Sequence, residues 1–180
     1  MMAEAEKIIS DDDFITAIIE SAIFRKKISF SARNGFIVPY KVRSPVNMHV
    51  HAGIEKCREE GDHEVCSLRT KVILTTARDY IEKELETRVF RKEIAIVPSR
   101  KKAYALSAVQ CRILTRRDPD LICIPHTYGY LYTGEGYGSY RGEILYTRRS
   151  DLKDLYEIAR EMRKLSLEKE GIEGRIASLV

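Results

Sequence analysis

The sequence predicts an α+β fold: a single domain over residues 1–180 with a small mixed sheet, two hairpins, a long central helix and a C-terminal helix. Three observations point there. Apolar residues recur at helical spacing in several segments, they alternate with polar residues around turn dipeptides in others, and neither an internal repeat nor a flexible linker divides the chain. With 180 residues, 44% of them hydrophobic, the chain can bury one core of ordinary size.

The first element is a helix. Asp11, Asp12 and Asp13 cap and charge its first turn, Phe14, Ile15, Ile18, Ile19 and Ala22 form its apolar face, and it ends near Phe24. Ile28, Phe30 and Ala32 then alternate with Ser29, Ser31 and Arg33 up to Asn34-Gly35, a dipeptide suited to a type I′ turn, so a hairpin follows. Its return strand, 36–43, carries Pro39, which has no N–H for the ladder and so belongs at a sheet edge.

Further on, Leu68, Val72, Ala77, Tyr80, Ile81 and Leu85 suggest a long helix over about 64–88, with Asp79–Lys83 and Glu84–Arg88 as i,i+4 pairs on its wet face. A short strand at 93–97 leads to a segment from Ser99 to Arg117 with Ala105, Leu106, Val109 and Ile113 on one side. It reads as a helix, with a strand as the alternative, and Asp118-Pro119 ends it. The continuously apolar run 121–125 reads as a central buried strand, parallel to 93–97 through a right-handed crossover. A second hairpin spans 126–149, turning at Gly134-Glu135-Gly136. Ser150 then caps a helix with Leu152, Leu155, Ala159, Met162 and Leu165 inside, while residues 1–10 and 171–180 are expected to be frayed.

Composition narrows the setting. No apolar run is long enough to span a bilayer, and the acidic, polar residues 1–13 do not read as a signal peptide, so a soluble, cytoplasmic protein is expected. One glutamine, two asparagines and no tryptophan, beside abundant Arg, Lys, Glu and Ile, suggest a heat-adapted source. Four cysteines, at 57, 66, 111 and 123, then read as buried thiols or metal ligands rather than disulfides.

Two groups of residues carry possible chemistry. The first is His49, His51, Cys57, His63 and Cys66, a dense run of imidazoles and thiols. Four of them on one zinc or other divalent ion would tie down a polar loop, although their spacing matches no standard zinc module. Their plain alternative is surface histidines and small core cysteines. The second group is basic and aromatic: Arg25, Lys26, Lys27, Arg100, Lys101, Lys102, Arg116 and Arg117, with Arg91-Lys92 and Arg148-Arg149, and the tyrosine stripe Tyr128, Tyr130, Tyr132. Cations gathered on one side bind phosphates, and exposed rings stack on unpaired bases, which suits RNA or single-stranded DNA. The net charge of +4 permits such a partner without requiring it. In the plain alternative, the tyrosines are strand formers covering a neighbouring element.

The stretches MHVHA and DYIEKE resemble fragments of the HUH-type nicking endonucleases. The resemblance implies a divalent metal on His49 and His51, Tyr80 as the nucleophile toward a DNA phosphate and Lys83 as its helper. No phosphate-binding loop and no nucleophile elbow is present, and nothing singles out another acid–base couple. The leading expectation is a nucleic-acid-binding accessory protein of a thermophilic archaeon, virus or plasmid. The first alternative is a metal-dependent nuclease or nicking enzyme, which leaves open whether the chain is an enzyme. The second is a structural or interaction subunit without catalysis, a homo-oligomer through its C-terminal helix.

Overall fold

A computed structural model of the chain describes residues 9–33, 35–39, 46–129 and 139–167. The elements are α1 (Asp11–Phe24), β1 (Lys27–Arg33), β2 (Phe36–Val38), β3 (Val46–Glu60), β4 (His63–Thr75), β5 (Tyr80–Val97), α2 (Arg100–Arg117), β6 (Leu121–Tyr128), β7 (Tyr140–Arg148), a 3-10 turn (Arg149–Leu152) and α3 (Lys153–Leu167).

The sheet corrects the predicted fold class. It is neither small nor mixed: seven strands pair in the order β2-β1-β3-β4-β5-β7-β6, antiparallel, and strands take 51% of the described structure. The predicted long helix at 64–88 does not exist; β4 and the first half of β5 occupy that stretch. Cys66, Leu68, Thr70, Val72 and Leu74 are buried in strict alternation, as a strand with one face inward requires. Two turns break the helical reading. Gly61, at φ 68°, lies in the tight connection from β3 to β4. Between β4 and β5, Thr76 Oγ1 accepts from the backbone N–H groups of Arg78 and Asp79, and the Thr76 N–H donates to the Asp79 carbonyl.

The helix at 100–117 and the antiparallel pair β6–β7 are present, whereas residues 130–138, with the expected Gly134-Glu135-Gly136 turn, lie outside the described residues. The run 121–125 is not a central strand: β6 is the last strand of the order, and its burial alternates. Pro125 is tolerated there because an edge strand has a side that pairs with nothing. β5 and β6 both run antiparallel to β7, so they share a direction, but β7 lies between them.

Two compact units divide the chain. The first comprises residues 1–54, 68–87 and 153–180; the second comprises 55–67 and 88–152.

In the first unit, α1 and α3 cover the sheet face carrying Phe30, Met48 and Val50. Ser10 caps α1, its Oγ accepting from the Asp13 N–H, and the three aspartates complement the helix dipole. Phe14, Ile15, Ile18, Ile19 and Ala22 are buried as the spacing predicted, and the Phe14 ring meets Phe30 edge-on at 4.8 Å. Leu152 precedes α3, whose Leu155, Ala159, Met162 and Leu165 are buried too. The chain's own core therefore uses the face proposed for oligomerisation. Tyr156 donates to Asp12, and Arg163 pairs with Asp11, fastening α3 to α1.

In the second unit, α2 lies on β6 and β7. Its buried face is Ala103, Ser107 and Cys111, all small. Gly142 of β7 sits beneath it: a Cβ there would come within 2.8 Å of Ser107 Oγ and 2.9 Å of the Ala103 carbonyl oxygen, so only glycine permits this approach. The four cysteines are not free thiols. Cys57 is bonded to Cys66 and Cys111 to Cys123, the second bond fixing α2 to β6.

Candidate nucleic-acid interface

Helix α2 presents its larger side chains outward. The sequence placed Ala105, Leu106, Val109 and Ile113 on one side of this helix, and that side faces outward: Leu106, Val109 and Ile113 are 38%, 43% and 38% exposed, and Ala105 is exposed beside them. At 100° per residue these positions lie opposite Ala103, Ser107 and Cys111, so once the small residues face the sheet the large ones must face away.

Around that stripe stand Arg100, Lys101, Lys102, Arg112, Arg116 and Arg117. All six are exposed, the helix contains no acidic residue, and among the described residues none of the six has an ion-pair partner. Eighteen residues make a rod about 27 Å long. Arg116 and Arg117 end it favourably, next to the negative pole of the helix dipole. Arg100, Lys101 and Lys102 do the reverse: three cations crowd the positive pole, where each costs on the order of 0.3–1 kcal/mol. α1, with three aspartates in the same place, shows what stability alone favours.

The other basic residues are dispersed or neutralised. Arg25, Lys26 and Lys27 are exposed at the end of α1, in the first unit, and Lys26 lies 5.6 Å from the Phe24 ring centroid. Arg148 bonds Asp118 at 2.8 Å and approaches Asp120 at 3.7 Å, while Arg149 donates to the Pro119 carbonyl. Of the tyrosine stripe, Tyr130 and Tyr132 lie outside the described residues. Tyr128 is engaged internally: His126 stacks on it at 5.5 Å, and the Arg91 guanidinium lies 5.4 Å from its centroid.

Tyr128 lines a cleft of about 430 Å³ in the second unit, together with Glu59, Asp62, His63, Glu64, Arg91, Glu93, Arg141 and Glu143. Because neighbours on a strand point to opposite faces, Gly142 under α2 sends Glu143 to the other side of β7. The Glu143 side chain is 4% exposed and accepts from Arg91 Nε at 2.9 Å, with His126 Nδ1 at 2.9 Å on its second oxygen. Burial works against the charge on Arg91, but its hydrogen bond and proximity to Glu143 prevail and hold it above the usual arginine range. At the rim, hydrogen bonds from Lys92 and His63 bring the Asp62 carboxyl down to about 2. Five carboxylates outnumber two guanidiniums in this cleft, so its lining is net acidic, in contrast to the acid-free surface of α2.

Among the described residues, the cluster of possible metal ligands that forms takes Cys57 and Cys66 with Glu64 and none of the histidines. Its cysteines are paired, and His49 and His51 belong to the first unit while Cys57, His63 and Cys66 belong to the second. His49 Nδ1 is 2.7 Å from Ser29 Oγ, and His63 packs edge-on against Phe90 while bonding Asp62 at 3.2 Å.

Tyr80 and Lys83 stand on β5, not on a helix; three positions apart on a strand, their side chains point to opposite faces. Tyr80 is 63% exposed, and its hydroxyl donates to Glu82 Oε1 at 3.0 Å. That bond first, then partial burial, raises the phenol's pKa, whereas a nucleophile needs it lowered.

Sequence reasoning did not single out Arg112, Glu143 or Arg91 with Glu143 as a pair. Arg112 was detectable, since 100–117 contains six cations and no carboxylate. Searches of protein-family models, of curated proteins and of solved structures match nothing to this chain.

Proposed function

We propose that the protein is a nucleic-acid-binding accessory factor that holds the phosphates of RNA or single-stranded DNA along the exposed face of α2. The supporting observation is that face itself: six exposed cations, no carboxylate, and three of the cations at the helix pole where they oppose the dipole. Binding here is mainly electrostatic and sequence-tolerant, because the rings expected to stack on bases are either engaged within the protein or outside the described residues.

The setting stays the one suggested by composition, the interior of a heat-adapted archaeon or its virus or plasmid. Heat-adapted archaea are an exception to the rule that intracellular proteins lack disulfides. Among the described residues no helix is long and apolar enough to cross a membrane.

The test is fluorescence anisotropy with labelled oligo-dT and oligo-U between 50 and 200 mM salt, values chosen at about the range over which phosphate contacts are lost. The wild type binds, and affinity falls steeply with salt. The triple variant Lys102→Glu, Arg112→Glu, Arg116→Glu loses more than about tenfold in affinity, and its log–log salt slope falls by about 2, or 0.7 per single-strand phosphate contact. Absence of wild-type binding at low salt removes the proposal, and an unchanged slope in the variant moves the interface elsewhere.

A further inference from the structure

The Cys57–Cys66 bond has a third potential metal ligand beside it. Cys57 Sγ, Cys66 Sγ and a carboxylate oxygen of Glu64 all lie within 4.8 Å of one another. The strand pattern accounts for this. Glu64 and Cys66 are two apart on β4 and share a face, and Cys57 on β3 meets Cys66 across a Cα–Cα distance of 4.1 Å. Cys57 is exposed, so a reductant can reach the bond, while Cys66 is buried and holds its sulfur in place.

We propose that this disulfide is a redox-gated metal site, closed when oxidised and able to bind one zinc ion through Cys57, Cys66 and Glu64 when reduced. The gating step takes two electrons and two protons from a dithiol: the Cys57–Cys66 bond breaks, two thiols form, and the dithiol becomes a cyclic disulfide. Zinc then displaces both thiol protons and binds two thiolates and the carboxylate. Tetrahedral zinc with bonds of about 2.3 Å holds its two sulfurs about 3.8 Å apart, so once the Cys57–Cys66 bond is broken the two thiolates move apart to take the ion. Water completes the shell.

The donor set differs from the five residues the sequence suggested. Cys57 and Cys66 remain, Glu64 enters, and the histidines drop out: His49 and His51 lie in the other unit, and His63, one residue from Glu64, points to the opposite face.

Zinc binding to the full chain is measured by competition with a chromophoric chelator, before and after reduction with a dithiol that is then removed without oxygen. The expected result is one equivalent after reduction and none before. Reduced Cys57→Ser binds none, and Glu64→Gln weakens zinc at least tenfold while its oxidised form melts as the wild type does. That unchanged melting separates a lost ligand from a damaged fold. Equal zinc uptake in both redox states, uptake in neither, or uptake that survives Cys57→Ser overturns the gate; full affinity in Glu64→Gln overturns the third ligand.

Discussion

The two compact units of this chain are stabilised by different physics. In the first, two amphipathic helices bury Phe14, Ile15, Ile18, Leu155 and Met162 with Phe30 and Met48, and it has no cysteine. In the second, α2 touches its strands through Ala103, Ser107 and Cys111, and two disulfides and the Arg91–Glu143–His126 cluster add what small side chains cannot. Each fully buried large apolar side chain stabilises by roughly 1.5–3 kcal/mol, whereas alanine and serine contribute far less. The difference lies in what each helix turns inward: a helix that buries its small residues leaves its large and charged ones exposed, and covalent bonds compensate for the apolar burial it forgoes.

The largest expected effect tests the apolar side of this contrast. Phe14 is fully buried and packs on Phe30, so Phe14→Ala removes a ring and leaves a cavity, costing about 3–5 kcal/mol. Equivalent truncation on α2, Val109→Ala, removes a side chain that is 43% exposed and should stay within about 0.5 kcal/mol. Chemical denaturation of both variants measures the ratio. Similar costs at the two sites would show that Val109 is buried in the folded protein and would abolish the contrast.

Next in size is the covalent side. The Cys111–Cys123 bond closes a loop with a sequence separation of 12, and in the chain-entropy account such a loop contributes about 3 kcal/mol. The double variant Cys111→Ser, Cys123→Ser should lose about that much, and hydrogen exchange should quicken first in the amides of α2 and β6. Unchanged exchange there would mean that Ala103, Ser107 and Gly142 hold the helix by close contact alone.

How much of this was legible in the sequence depended on whether a pattern had one interpretation. α1 and α3 were legible because their apolar spacing had one interpretation, although their caps were misplaced: Ser10 rather than the aspartates caps α1, and Ser150 lies in the 3-10 turn before α3 with its hydroxyl on Asp120. The β1 strand was legible because its alternation ran into a turn dipeptide. The stretch 64–88 was misread because a spacing of four is same-face in a strand as well as in a helix. Leu68 with Val72, Ile81 with Leu85, and the pairs Asp79–Lys83 and Glu84–Arg88 therefore fit both periods. The discriminating signs were the Gly61-Asp62 and Thr76–Asp79 turns and the alternation from Cys66 to Leu74. For α2 the periodicity was legible but the side that faces the sheet was not: nothing local says that Gly142, far along the chain, will receive Ala103 and Ser107. The Glu143 cluster was illegible for the same reason, since its partners lie 52 and 17 residues away and meet only through strand pairing.

The smallest expected effect separates the units by pH. His51, in the first unit, faces Lys27 on β1, His49 on its own strand, Lys71 on β4 and Glu82 on β5. Burial first, then the charges of Lys27 and Lys71, lower its pKa below the ordinary 6.5, and Glu82 only partly offsets them. The unfolded chain therefore binds this proton more readily than the folded one. The associated stability is complete above pH 6.5 and declines as pH falls from there through the lower folded value. His51→Gln removes this dependence, so the wild type should lose more melting temperature between pH 7.5 and 5.5, at about the ordinary histidine range, than the variant does. If the two lose the same amount, His51 charges as easily folded as unfolded, and the cations beside it do not set its titration.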